Sequence, residues 1–174
     1  MKILLSWLCT LIIPNLTLNG LFILYRSFWV KNHIMPNFFG SYKYLVDSKG
    51  RVNIPKRFWE QLPENVEKIL FYVTLGPNAS EPFQCLTIFL QEDFEIMAKK
   101  MKEECGTFVN PNDMRKNLLK MTGHAQQCRP DKQGRIMIPK ELLDRVKITN
   151  EVKIVGSVDQ IELWNPEVFE EYTA

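Results

Sequence analysis

Asp47-Ser-Lys-Gly-Arg51-Val-Asn-Ile-Pro55-Lys56 returns further along the chain as Asp131-Lys-Gln-Gly-Arg135-Ile-Met-Ile-Pro139-Lys140. Six of the ten positions are identical, at a constant offset of 84 residues. Agreement of Asp, Gly, Arg, Ile, Pro and Lys in a single register marks a tandem duplication. The likeness resumes at an offset of 75, where Leu86-Thr-Ile88-Phe89 answers Ile161-Glu-Leu163-Trp164 and Phe94 falls on Phe169. The first copy therefore carries nine extra residues, placed at a hairpin tip around Gly76–Pro82.

Each copy predicts the same run of elements. Tyr42–Val46 reads as a short strand, and Asp47–Gly50 as a turn with glycine where a positive φ is required. Arg51–Ile54 is the returning strand, and Pro55 starts a helix over Lys56–Leu62. Leu70–Leu75 and Leu86–Phe89 read as a hairpin, followed by a helix at Glu92–Met101. The second copy predicts a strand at Gly134–Ile138, a helix from Pro139, strands at Val152–Val155 and Ile161–Trp164, and a helix from Pro166. Between the copies, Ala98–Glu104 and Asn112–Thr122 read as helical. The fold class is α+β and rich in β. Strands this short close no core alone, but two copies can pair edges and each bury one apolar face. The duplication thus implies an intrachain pseudo-dimer. The aromatics Phe58, Trp59, Phe71, Phe89, Phe94, Trp164 and Phe169 are expected in the core.

The formal net charge is only +2. Residues 1–34 hold Lys2, Arg26 and Lys31 and no acid, which leaves 19 basic and 20 acidic side chains in 35–174. A nearly neutral body binds a polyanion only through local patches. Two such patches surround the repeated turns. Lys43, Lys49, Arg51, Lys56 and Arg57 face Asp47 alone in the stretch 43–57, and Arg129, Lys132, Arg135 and Lys140 face Asp131 alone in 129–140. Arginine can pair with guanine O6 and N7 while lysines hold phosphates. The other reading is that each Asp pairs with the Arg four residues on as a fold-closing salt bridge. Asp47 and Asp131 are in either case expected to cap turn N–H groups. The lysines and arginines between 99 and 120 read as a solvated helix face, or as a contact with DNA flanks or a neighbouring subunit.

Residues 3–25 are uncharged and largely apolar. The first run, Ile3–Ile13, is shorter than the roughly 20 residues a spanning helix needs, and Pro14, Asn15, Asn19 and Gly20 interrupt the second half. Residues 1–34 are thus an apolar extension, read as an anchor or signal or as upstream sequence ahead of a true start at Met35. Cys9, Cys85, Cys105 and Cys128 form no CxxC pair, and the only histidines are His33 and His124. That pattern suits reduced thiols in a cytoplasm and offers no zinc site.

Two Asp-x-x-Gly-Arg-[Val/Ile]-x-Ile-Pro-Lys stretches, in a body opening with Phe38-x-Gly40-x-Tyr42, resemble the MraZ family over about 35–174. The resemblance implies tandem SpoVT/AbrB-type swapped-hairpin domains, AbrB-like half-barrels spanning 35–97 and 125–174, with a helical linker at 98–124. It also implies a DNA-binding regulator of a division and cell-wall gene cluster. Such a regulator would bind direct repeats of double-stranded DNA in its own promoter, assemble as a homo-oligomeric ring, and work in the cytoplasm on the nucleoid. The expected DNA-facing residues are Lys49, Arg51, Lys56 and Arg57 in the first copy and Lys132, Arg135 and Lys140 in the second. No Walker loop, Gly-x-Ser-x-Gly or His-Glu-x-x-His is present, so no enzymatic activity, cofactor, metal or small-molecule ligand is expected. The competing function is a ring-forming protein-interaction or antitoxin-like module that reads no DNA.

Overall fold

The computed structural model describes residues 36–62, 69–76, 84–104 and 111–174. The apolar extension and nearly all of the Gly76–Pro82 tip therefore lie outside the described residues, as do Cys9, His33 and Cys105. The first copy supplies β1 (Phe38–Leu45), β2 (Arg51–Asn53), α1 (Lys56–Trp59), β3 (Phe71–Leu75), β4 (Cys85–Leu90) and α2 (Gln91–Glu104). After α3 (Pro111–Gly123), the second copy supplies β5 (Gln126–Cys128), β6 (Arg135–Met137), α4 (Lys140–Arg145), β7 (Glu151–Val158), β8 (Gln160–Trp164) and α5 (Pro166–Thr173).

Six strands form one antiparallel sheet in the order β1-β7-β8-β4-β3-β5, while β2 and β6 pair as a separate ribbon. The pairing crosses between the copies. β1 pairs along its whole length with β7, from Phe38↔Val158 to Leu45↔Glu151. β5 pairs with β3 in the equivalent place, from Phe71↔Cys128 to Val73↔Gln126. The first strand of each copy thus completes the sheet of the other. β4 also joins β8 across the copies, with Thr87 opposite Glu162. Those two positions are related by the 75-residue offset, and Val52 and Ile136, opposite each other in the ribbon, by the 84-residue offset. Both junctions are therefore symmetric about one pseudo-dyad.

Burial explains why the copies stay together. Val52, Ile136, Leu86, Leu163, Val152, Ile154 and Ile161 are all 0% exposed and belong to one cluster drawn from both copies. A second cluster, Phe89, Phe94 and Met121, fills the space between the sheet and α2 and α3. There Tyr72 and Phe94 stack with centroids 4.5 Å apart, and the Thr74 hydroxyl donates to the Met121 carbonyl at 2.6 Å. Asn165 caps α5, accepting from the N–H groups of Glu167 and Val168, and Pro166 comes next, where a missing N–H costs nothing.

Several elements differ from the expected bounds. β1 begins four residues before Tyr42, because β7 offers it an edge to pair with. α1 stops at Trp59, after which only turn bonds reach Leu62; Pro63 disfavours helical backbone at the residue before it. Ala98–Glu104 continues α2 as one helix. β5, the short counterpart of β1, is an element that the sequence pattern did not predict. Among the expected core aromatics, Trp59 and Phe169 are only half-buried.

Asp93 in the first turn of α2 has its carboxyl pushed up to about 6, chiefly by burial and then by Asp159 and Glu92. A folded-state value above the unfolded one makes ionisation oppose folding, so this site loses stability as pH rises from about 4 to about 6. Asp93→Asn is expected to stabilise the protein at pH 7 by about 1 kcal/mol, after allowing for solvent screening and the opposing helix dipole. The gain should vanish below about pH 4 in denaturant melts run across that range. Equal gains at every pH would show that charge is not the cause.

Candidate nucleic-acid interface

The two repeated turns are built alike. In the first, Asp47 Oδ1 accepts the backbone N–H groups of Lys49 and Arg51, each at 2.9 Å, and the Asp47 carbonyl accepts that of Gly50 at 2.9 Å. In the second, Asp131 Oδ1 accepts from Gln133 at 2.8 Å and Arg135 at 3.0 Å, and its carbonyl accepts from Gly134 at 2.9 Å. Both glycines have φ of +76°, the left-handed conformation that the turn demands and a Cβ resists.

The aspartates also hold their arginines. Arg51 Nε donates to Asp47 Oδ2 at 2.6 Å, and Arg135 Nε donates to Asp131 Oδ2 at 2.8 Å. The Arg51 N–H, and then the Arg51 side chain, hold Asp47 below the usual carboxylate range against the opposing effect of desolvation. The Arg135 side chain and N–H hold Asp131 at about 2. The turns thus keep both carboxylates ionised, and the support they give is lost only as pH falls toward those depressed values. All four side chains are about a quarter to a third exposed, so the pairs orient the guanidinium more than they stabilise the fold.

The pseudo-dyad places the turns at opposite ends of the β2–β6 ribbon. The Ile138 N–H donates to the Gly50 carbonyl at 2.9 Å, and the Ile54 N–H donates to the Gly134 carbonyl at 3.3 Å. Each turn is thereby tied to the other copy. α4, which begins at Lys140, packs Leu143 over Gly50, while α1, which begins at Lys56, packs Trp59 over Gly134. Side chains of a strand alternate between faces. With Val52 and Ile136 turned into the core, Arg51 and Arg135 share the ribbon's outer face.

The structure sorts the expected residues into two groups. Lys49 and Arg51 lie at one end of the ribbon and Lys132 and Arg135 at the other, with both lysines exposed. Lys56 and Lys140 are exposed where the ribbon gives way to α1 and α4. Arg57 is elsewhere. It lines a cavity of about 200 Å³ with Asn37, Phe39, Phe58 and Gln61, by the start of β1, whereas the first turn comes after the end of that strand. Lys43, counted in the first basic stretch, faces Lys153 across β1 and β7 and acts on Glu170 of α5. Both readings of the turn arginines have a physical basis here, since each arginine is paired and also outward-facing. Asn53 and Met137, on the same outer face, were missed by sequence reasoning. Their signal was the alternation around Val52 and Ile136.

Cys85 and Cys128 are buried free thiols pushed up to about 12 and about 11 by burial, which keeps them protonated at neutral pH. Among the described residues no group of three His, Cys, Asp or Glu side chains is placed to hold a metal ion. No described helix is long and apolar enough to cross a membrane.

A duplicated β-rich chain with two Asp-x-x-Gly-Arg turns at the ends of a cross-copy ribbon defines a tandem-repeat protein with a basic, outward-facing ribbon. Comparison with known proteins gives the family. A family model described as "MraZ protein, putative antitoxin-like" matches residues 121–174. The transcriptional regulator MraZ of Carboxydothermus hydrogenoformans is 36% identical over 135 residues, covering 78% of this chain and 85% of that protein. The MraZ regulators of Caldanaerobacter subterraneus subsp. tengcongensis, at 34% over 134 residues, and Clostridium tetani, at 33% over 135 residues, match to similar extents, covering 77% and 78% of this chain and 85% and 86% of theirs. The chain belongs to the MraZ family.

Proposed function

We propose that this protein is a sequence-specific, double-stranded-DNA-binding transcriptional regulator. Its simplest action is to repress its own division and cell-wall gene cluster by covering direct repeats in the promoter. The observation that carries this reading is the outer face of the β2–β6 ribbon. It presents Arg51 and Arg135 between two turns that add Lys49 and Lys132. A two-stranded ribbon is narrow enough to enter a major groove, and arginines oriented by a fixed carboxylate lose less freedom on binding. The relatives' name, transcriptional regulator, agrees with it.

The crossed first strands are read as a swapped-hairpin arrangement, two half-barrels forming an intrachain pseudo-dimer. In this reading 35–97 and 125–174 are its domains and 98–124 its linker. One chain supplies few base contacts, and its body is nearly neutral. A homo-oligomeric ring offering many copies of the face to spaced repeats raises the effective concentration. A single chain that sediments as a monomer yet binds one repeat tightly contradicts the ring. No cofactor enters this reading, and its setting is the cytoplasm and nucleoid.

The test is a titration onto DNA from upstream of the protein's own gene, at several salt concentrations, beside scrambled DNA. Wild type is expected to prefer its own promoter, with affinity falling as salt rises. Arg51→Ala is expected to lose about 2 kcal/mol of that preference. If Arg51 is instead a phosphate contact, all sequences weaken alike and the salt slope falls by about one. The pairing of Arg51 and Arg135 with their own aspartates favours one rival, a ring-forming interaction module whose turns are purely structural. Absence of any preference between promoter and scrambled DNA gives the function to that rival.

A further inference from the structure

The ribbon's outer face holds two side chains to which DNA binding in general assigns nothing. The antiparallel register sets Met137 opposite Arg51 and Asn53 opposite Arg135. With the central pair Val52 and Ile136 at 0% exposure, these four side chains project together away from the core. Asn53 is exposed, and Met137 is 62% exposed.

Residues 53 and 137 are equivalents under the duplication, at the same offset of 84 that relates Arg51 to Arg135. The arginine positions are chemically identical, while the 53 and 137 positions are not. One bears a carboxamide with donor and acceptor side by side, the other an apolar thioether. The turns differ too: Ser48 and Lys49 of the first stand where the second has Lys132 and Gln133. The backbone is therefore near-symmetric while the surface it presents is not.

We infer that Asn53 and Met137 are specificity-determining residues that give the chain a direction on DNA. This rests on the DNA-reading function proposed above. The Asn53 carboxamide matches the N7 acceptor and N6 donor of adenine, and an apolar side chain such as Met137 packs against the methyl group of thymine. Arginines at both ends of the ribbon read or hold either half-site alike, so on the ribbon's outer face discrimination between the halves falls to positions 53 and 137. The recognised element is non-palindromic, with an adenine-dependent position in one half and a thymine-dependent position in the other.

The experiment is selection from a random-sequence duplex library with the full chain as wild type, Asn53→Ala, Met137→Ala and the exchange Asn53→Met/Met137→Asn. Wild type is expected to enrich a non-palindromic motif. Asn53→Ala should lose about tenfold preference at one A·T position, and Met137→Ala about fourfold at another. The exchange should move each preference to the other position. Binding to scrambled duplex and its salt slope should stay at wild-type values, because neither residue is charged. Variants that enrich the wild-type motif unchanged, a palindromic wild-type motif, or equal losses on all DNA would overturn the inference while DNA binding stands. A wild type that enriches no motif would overturn the DNA-reading function itself.

Discussion

Phe58→Ala lowers the free energy of unfolding by about 4 kcal/mol, the upper part of the range for emptying a buried aromatic site. Phe58 is 1% exposed and lies in a helix only four residues long, which has no stability of its own in water. Its ring packs 5.2 Å from that of Phe38 and meets the edge of Tyr42 at 5.4 Å. Both contacts are on β1, the strand that pairs with the second copy. Removing the ring leaves a cavity between α1 and β1, and β1 is held along its length by β7 and cannot move in to fill it. Denaturant melts should show a lower midpoint with the slope unchanged. Leu142, the equivalent residue in α4, is 3% exposed, and Leu142→Ala should cost about 3 kcal/mol. A loss below about 1 kcal/mol at Phe58 would mean that α1 does not support β1.

Gly50→Ala costs about 3 kcal/mol and is expected to abolish the promoter binding proposed above. Two penalties add at this position. The backbone has φ of +76°, and a Cβ there would lie 2.5 Å from the Ile138 carbonyl oxygen. That oxygen belongs to the second copy's backbone and cannot rotate aside. Relief requires moving the turn, which breaks the Ile138 N–H bond to Gly50 and shifts Arg51. Gly134→Ala shares the φ, but its Cβ meets the Trp59 indole nitrogen at 2.7 Å, part of a half-buried side chain that can shift. The second substitution should cost less, about 2 kcal/mol. Thermal melts and DNA titrations of both variants check the order. A Gly134→Ala variant less stable than Gly50→Ala would contradict the assignment of the first turn as the more rigidly enclosed.

Much of the candidate surface is legible in the order of residues alone. The aspartate caps, the glycines at positive φ and the prolines before α1 and α4 come from short-range chemistry within ten residues. So does the alternation that turns Val52 and Ile136 inward. The placement of Arg57 is not legible in this way. Six residues from Arg51 in sequence, it lies by Asn37 and Phe39 because α1 folds back along β1. Lys43 misleads for a similar reason: strand alternation turns it toward Lys153 and Glu170, away from the face of Tyr42 and Tyr44. Asn53 and Met137 are legible as alternating positions only. Their sharing one face with both arginines depends on β2 pairing with β6.

The order of residues alone specifies two copies of one β-rich unit, each with the same Asp-capped, glycine-dependent turn. Those features depend on local sterics and on a period of two, which a chain carries in its own order of residues. Which edges meet is settled by long-range packing. Two copies with the same pattern offer nearly equal pairings within and between themselves, and local preference cannot choose. The choice comes from burying Val52, Ile136, Leu86 and Leu163 together, a gain available only when β2 meets β6 and β4 meets β8. That burial sets the two turns at the ends of one ribbon and draws four side chains from distant parts of the chain onto a single outer face.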